Sequence, residues 1–142
     1  MGARIGIGTD GAASNNNLDL FQEMRSAALL HKLVSNNPEV ANAKSMVAMA
    51  TIEGAKILGL DKKIGSLEVG KEADIIVVDL NKPHLTPLYD VFSQIVYSMS
   101  GSDVEMVLVR GVPVVEERQV KMGDEGKVLE AARQFSEKVR AF

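Results

Sequence analysis

The segment Gly8-Thr9-Asp10-Gly11 puts a carboxylate directly after a short apolar run, Ile5 to Gly8. An aspartate just past a buried strand sits on the rim of a sheet, and in parallel α/β folds the C-terminal rim carries the chemistry. Asp10 there suits a metal ligand or a general base. The plain alternative is a turn residue, a role Asp often fills by bonding its own backbone. Ser14, Asn15 and Asn16 follow closely and would line the same mouth, where they could touch a substrate. The same residue types also cap helices, because their side chains accept from the free N–H groups of a first turn. Gly6, Gly8 and Gly11 match the spacing G-x-G-x-x-G of dinucleotide-binding loops. That match fails its context test: Asp10 would repel a pyrophosphate, and the helix begins only after four further polar residues. His31 lies within a helical stretch and His84 beside Pro83 in a loop, so both read as surface or packing residues. With no cysteine, thiolate metal sites, cysteine nucleophiles and disulfides are excluded.

The elements that must hold Asp10 follow from periodicity. Leu18 to Val34 reads as a helix, with Leu20, Phe21, Met24, Ala27 and Ala28 on one stripe. Asn36, Asn37 and Pro38 stop it. A second helix is predicted from about Ala41 to Leu58, ended by Gly59. Beyond Leu60 the texture turns to strands. Ile64 to Leu67 is a short candidate, and Ala73 to Leu80, around Ile75 to Val78, is a buried one. Leu88 to Met99 is predicted helical. Val104 to Val109 and Val112 to Val115 form a hairpin about Arg110 and Gly111, with Pro113 suited to an edge. Lys127 to Phe142 places Val128, Leu129, Ala132, Phe135 and Val139 on one helical face.

The 142 residues suffice for one compact domain or two small pieces sharing a core. Apolar residues are 46% and charged residues 25%, with a formal net charge of -3. That balance argues against nucleic acid, which wants a basic face, and against an anionic membrane surface. No apolar stretch approaches the ~20 residues of a membrane span, and no secretory signal is visible, so the expected location is cytoplasmic. One feature is odd for a complete domain: the first strand and helix have no partner strand before them, although consecutive elements normally complete a layer together.

The ordered set of segments resembles the amidohydrolase superfamily. Gly8-Thr9-Asp10-Gly11, Ala13-Ser14-Asn15-Asn16 and Leu18-Asp19-Leu20-Phe21-Gln22-Glu23-Met24 are similar to the family's last barrel strand and following helix. More narrowly they look like the 5′-methylthioadenosine/S-adenosylhomocysteine deaminases. The run Ala50 to Leu60 is similar to the helix after the barrel, and Ile64 to Ile75 to the return into a small β domain. Val96 to Gly101 with Val104 to Val115 resembles the helix-to-hairpin stretch. Triazine hydrolases and other aminohydrolases share much of this pattern.

The resemblance implies an α/β fold: the last β/α unit of a (β/α)8 barrel, part of a small β-sandwich domain, and a terminal helix. Residues 1–60 would end the barrel, 61–126 would supply the β-rich part with an inserted helix, and 127–142 the C-terminal helix. It implies a divalent metal, zinc by preference, in the parent enzyme, with Asp10 as one ligand and as acceptor of a water proton. Such a metal lowers the pKa of bound water from ~16 toward ~7, and hydroxide then displaces ammonia from C6 of adenine. The substrate of the parent would be a small nucleoside.

The chain departs from the family pattern at its front. A barrel needs ~250 residues, there is no His-x-His pair, and Met1-Gly2 resembles a start placed just ahead of the eighth strand. A catalytic zinc wants three protein ligands, so none is expected to bind tightly to this chain alone. The isolated chain is expected to be catalytically silent and to self-associate through its unpartnered surface. A stand-alone, non-enzymatic module is the competing class. A parent acting on guanine, cytosine or triazine rings is the competing chemistry.

Overall fold

The computed structural model describes residues 3–140. Met1 and Gly2, read above as a start, lie outside them, as do Ala141 and Phe142, the last residues of the stretch predicted as the terminal helix. Five helices and four strands follow in the order α1 (Leu20–Ser35), α2 (Ala43–Ala50), α3 (Ile52–Ile57), β1 (Ile75–Val78), α4 (Val91–Tyr97), β2 (Val104–Val109), β3 (Val112–Glu116), β4 (Gln119–Val120) and α5 (Glu125–Arg140). Single 3-10 turns at Pro83–Leu85 and Gly101–Asp103 precede α4 and β2.

Helices α1, α2 and α4 each start at a side chain that accepts a free backbone N–H, whereas α3 has no such cap. Asp19 takes that of Phe21, Asn42 that of Ser45 and Asp90 that of Ser93. Asn36 ends α1 in the left-handed region at φ 49°, a conformation Asn tolerates better than most residues. The apolar stripe of α1 buries Phe21, Met24 and Ala28. These pack with Ala43 and Met46 of α2, Leu85, and Val96 and Met99 at the end of α4, forming the core.

The long second helix expected over Ala41 to Leu58 is two helices. Thr51, at φ -128° and ψ -99°, breaks the spiral, and its Oγ1 donates to the Val47 carbonyl at 2.7 Å. Such back-bonding to the preceding turn competes with the helix and bends it. Other bounds shift by a few residues, as frayed ends do: Leu88–Met99 contracts to α4, and Ala73–Leu80 to β1. The short strand expected at Ile64 to Leu67 is instead a run of bends between two turns. Gly65 lies there at φ +91°, and a Cβ on it would stand 2.8 Å from that of Ala55. So close an approach to α3 in that conformation admits only glycine.

The sheet is antiparallel in the order β1-β2-β3-β4. The hairpin between β2 and β3 turns on Arg110 and Gly111, at φ 51° and 77°, the paired positive values that match the twist of the flanking strands. Arg110 is anchored from outside the hairpin, its N–H donating to Asp74 Oδ1 at 2.8 Å. Beyond Pro113 the outer neighbour β4 reaches only Val115 and Glu116, so the proline costs the ladder nothing.

The segment Ile5 to Gly8, expected as a buried strand, joins no ladder among the described residues. It lies against α2 and α3, with Gly6 close to Gly54 and Ile57, tied by one backbone bond from Ile7 N–H to the Met49 carbonyl at 3.2 Å. Among the described residues no strand of the sheet bonds to it, so its remaining N–H and C=O groups enter no ladder. The terminal helix α5 forms over the expected stretch but buries no residue, and its apolar stripe faces solvent, with Phe135 69% exposed.

Candidate functional site

Asp10 closes the extended segment and opens the loop to α1. Its backbone is left-handed at φ 60°, a region that aspartate visits at lower cost than most residues. The carboxylate is exposed, and its Oδ1 accepts from the N–H of Gly11 at 2.7 Å. The other oxygen is therefore presented outward from a short, fixed turn. The Gly11 carbonyl in turn collects the N–H groups of Ser14 at 3.0 Å and Asn15 at 2.9 Å.

The three polar residues expected around Asp10 part company. Ser14 is exposed and its hydroxyl donates to the Gly11 carbonyl at 3.1 Å. Asn16 is exposed at a bend. Asn15 turns inward. Its Nδ2 donates to the Thr9 carbonyl at 2.9 Å and to Glu23 Oε1 on α1 at 2.8 Å, while its Oδ1 accepts from the N–H of Asn17. None of the three caps α1, which is the work of Asp19.

A polar cluster that periodicity passes over lies at the other end of the chain. Asp103, 2% exposed, takes Lys82 Nζ at 3.0 Å and His84 Nε2 at 3.1 Å on Oδ1. Its Oδ2 takes the Ser100 N–H at 2.9 Å. Burial pushes the carboxyl up, but the hydrogen bonds from Lys82, His84 and Ser100 and the nearby ammonium charge outweigh it and hold it well below the usual carboxylate range. The readable trace was Ser100-x-x-Asp103, a spacing typical of reciprocal capping. His84 is thus an exposed loop residue that partners Asp103, and His31 an exposed residue of α1. Among the described residues no three His, Cys, Asp or Glu side chains converge as a metal site would require. Asp10 offers a single carboxylate, and the donors present do not by themselves fit a zinc ion. Nor is any described helix long and apolar enough to cross a membrane.

Known proteins match this arrangement. The amidohydrolase family pattern covers residues 1–114. A 5-methylthioadenosine/S-adenosylhomocysteine deaminase of Syntrophus aciditrophicus (strain SB) is 47% identical over 139 residues, 98% of this chain and 31% of that protein. A 5'-deoxyadenosine deaminase of Methanosarcina acetivorans is 50% identical over 140 residues, 99% of this chain and 32% of the relative. A zinc-bound adenosine deaminase structure from Xanthomonas campestris superposes with a TM-score of 0.94 at 39% identity, over 99% of this chain and 32% of its own. An atrazine chlorohydrolase from Arthrobacter aurescens complexed with zinc gives 0.81 at 28% identity, over 92% of this chain and 29% of its own. The chain therefore spans about a third of the length of the relatives it matches. A family pattern over residues 1–114, together with the same fold in a relative that covers 99% of the chain, makes the chain a member of the amidohydrolase family.

Proposed function

We propose that this chain works as the C-terminal portion of a metal-dependent aminohydrolase that deaminates adenine nucleosides such as methylthioadenosine or S-adenosylhomocysteine. In this reading residues 1–60 close a (β/α)8 barrel, 61–126 join a composite β-sandwich, and 127–142 form a terminal helix. The observation that carries the reading is the Asp10 turn: an exposed carboxylate at the end of an extended segment, in a chain 47% identical to a deaminase. Asp10 would hold a divalent metal, zinc by preference, together with ligands from outside this chain, and would take up a proton during hydrolysis. The metal, when bound, supplies acidification of water. Ser14 and Asn16, both exposed beside Asp10, are the residues of the loop free to meet a substrate, while Asn15 has spent its amide internally.

Adenine nucleosides are favoured over triazines because identity reaches 50% with the nucleoside deaminases and 28% with the triazine enzyme. A second copy of the chain is the partner expected in isolation. The exposed apolar side chains include Leu33 and Val34 of α1, Ile76 and Val77 of β1, and Phe135 of α5. A further apolar groove of about 840 Å³ opens between α1, α2 and the sheet.

The test replaces the matching segment of the Syntrophus aciditrophicus deaminase with this chain. Ammonia release from methylthioadenosine is expected from the chimera and is expected to vanish with Asp10→Asn. A folded chimera without activity, or one indifferent to Asp10→Asn, overturns the reading. So does robust deamination by the 142-residue chain alone with added zinc.

A further inference from the structure

We propose that Asn15 and Glu23 are positioning residues that set the direction of the Asp10 carboxylate, an inference that rests on Asp10 being the working carboxylate of the site. The peptide unit between Thr9 and Asp10 is planar and rigid, so fixing the Thr9 carbonyl fixes the plane from which Asp10 departs. Asn15 Nδ2 fixes that carbonyl with a 2.9 Å hydrogen bond. The positive φ of Asp10 is the rotation that then carries its side chain round to the Gly11 N–H. A left-handed non-glycine residue stores strain and persists where its surroundings over-determine it. Here the surroundings are the Asn15 amide on the Thr9 carbonyl, the Thr9 hydroxyl donating to the Asp10 carbonyl at 3.2 Å and the Gly11 N–H on the carboxylate.

The Asn15 amide is in turn set by α1. Its two N–H bonds have two acceptors, Thr9 O and Glu23 Oε1, and its oxygen has one donor, the Asn17 N–H. Only one flip state satisfies all three, since the reverse would face the amide oxygen toward two acceptors. Glu23 belongs to the first turn of α1, with its N–H bonded to the Asp19 carbonyl. The relay therefore runs from a rigid helix through Glu23 and Asn15 to Thr9, and ends at Asp10. Both side chains are half-buried, whereas the Asp10 carboxylate they serve is exposed. A loop of polar residues thereby gains the precision of the helix beside it.

Donor and acceptor polarity separate this role from simple packing. Asn15→Asp keeps size and shape but points a carboxylate at the Thr9 carbonyl and at Glu23. Glu23→Gln keeps an accepting oxygen, and Glu23→Ala removes it. In the chimeric deaminase described above, kcat is expected to fall on the order of 100-fold for Asn15→Asp and about 10-fold for Glu23→Ala, with KM held, because small misplacements of a reacting group are that costly. Glu23→Gln is expected to stay within about threefold, the cost of exchanging a charged acceptor for a neutral one. Each variant is compared at matched folded fraction by its melting curve. In the 142-residue chain itself, the Gly11 amide resonance reports the Asp10 contact. It should move with Asn15→Asp and hold with Glu23→Gln.

If Asp10→Asn abolishes turnover while Asn15→Asp and Glu23→Ala do not lower it, the positioning role is wrong and the Asp10 reading stands. An unmoved Gly11 amide in Asn15→Asp overturns the role without any assay of turnover. If Asp10→Asn itself is harmless, the failure lies with the functional reading, and the amide measurement still decides the relay.

Discussion

Asp19 and Gly101 meet across 82 positions of sequence, the Asp19 Oδ2 accepting the Gly101 N–H at 2.9 Å. The other oxygen, Oδ1, accepts the N–H of Phe21 at 2.9 Å and so caps α1. One carboxylate thus starts the helix that follows the Asp10 loop and ties it to the turn leading into β2. A Cβ on Gly101 would stand 3.5 Å from Asp19 Oδ2, ordinary contact, so the pairing depends on the carboxylate more than on the glycine.

Asp19→Ala is therefore expected to cost more than a simple cap. Loss of a helix cap alone is about 1 kcal/mol, and a second hydrogen bond to a charged acceptor adds about 1.5 kcal/mol. Asp19→Asn should recover part of this through its one remaining oxygen. Urea melts of the three proteins, read at constant m-value, check the ordering.

Arg25 plays the matching part at the end of α4. Its guanidinium donates to the Val96 carbonyl at 3.3 Å and to the Met99 carbonyl at 2.7 Å. A cation there also suits the negative end of the helix. Arg25→Met keeps the apolar stem and removes both donors, and should destabilise by about 1.5–3 kcal/mol. Arg25→Lys should recover less than half of that, since one ammonium does not reproduce the planar fork. Thermal melts separate the two.

Asp103 sets the acid limit. Its folded carboxyl titrates well below its ordinary value, so the unfolded chain binds the proton first. The stabilisation is complete above the unfolded pKa of about 3.9 and is lost as pH falls from there toward the folded value. Asp103→Asn should lower the melting temperature at pH 7 and flatten its dependence on pH below about 4. Asp103→Ala, which leaves Lys82 without its partner, should cost about 3 kcal/mol at neutral pH.

Removing α5 should leave the core intact, because none of its residues is buried. A chain ending at Asp124 is expected to melt within a few degrees of the full chain. Phe135→Glu is expected to leave the melt unchanged and to reduce self-association in sedimentation velocity. A 142-residue chain that sediments as a monomer at all concentrations would count against the second-copy expectation.

The sequence was most legible where one element could be judged by its own stripe. Phe21, Met24 and Ala28 are buried as their spacing requires, and the Arg110-Gly111 turn joins the two β-branched runs. It misled where the outcome hung on a neighbour. Ile5 to Gly8 has the composition of a strand, yet strands are made by pairing, and no ladder among the described residues takes it in. Val128, Leu129 and Phe135 have the stripe of a packed helix, yet a stripe records only that a surface is apolar. At the candidate site, the place of Asp10 after the apolar run was readable, but position alone did not choose between a ligand and a turn residue. Asn15 was readable as polar and close by, but the direction of an amide is set by acceptors on Thr9 and Glu23 that no spacing rule brings together. Of the Asp103 cluster only the Ser100 spacing was readable, because Lys82 and His84 reach it from a loop about twenty positions away.

The interruption at Thr51 has a bearing on how this loop tolerates changes of length. In an unbroken helix the Met49 carbonyl would be claimed by an N–H four residues on; here it receives Ile7. Two residues later Thr9 is gripped by Asn15. Asp10 therefore sits at the end of a tether with no slack, and a residue added between Ile7 and Thr9 would displace the carboxylate by about 3 Å, one strand step. The Glu117-Arg118 bend at the far end of the sheet has no such moorings to the Asp10 loop. Insertions accepted there should leave the acid where it is, which makes that bend, rather than either flank of Asp10, the place to graft a tag or a reporter.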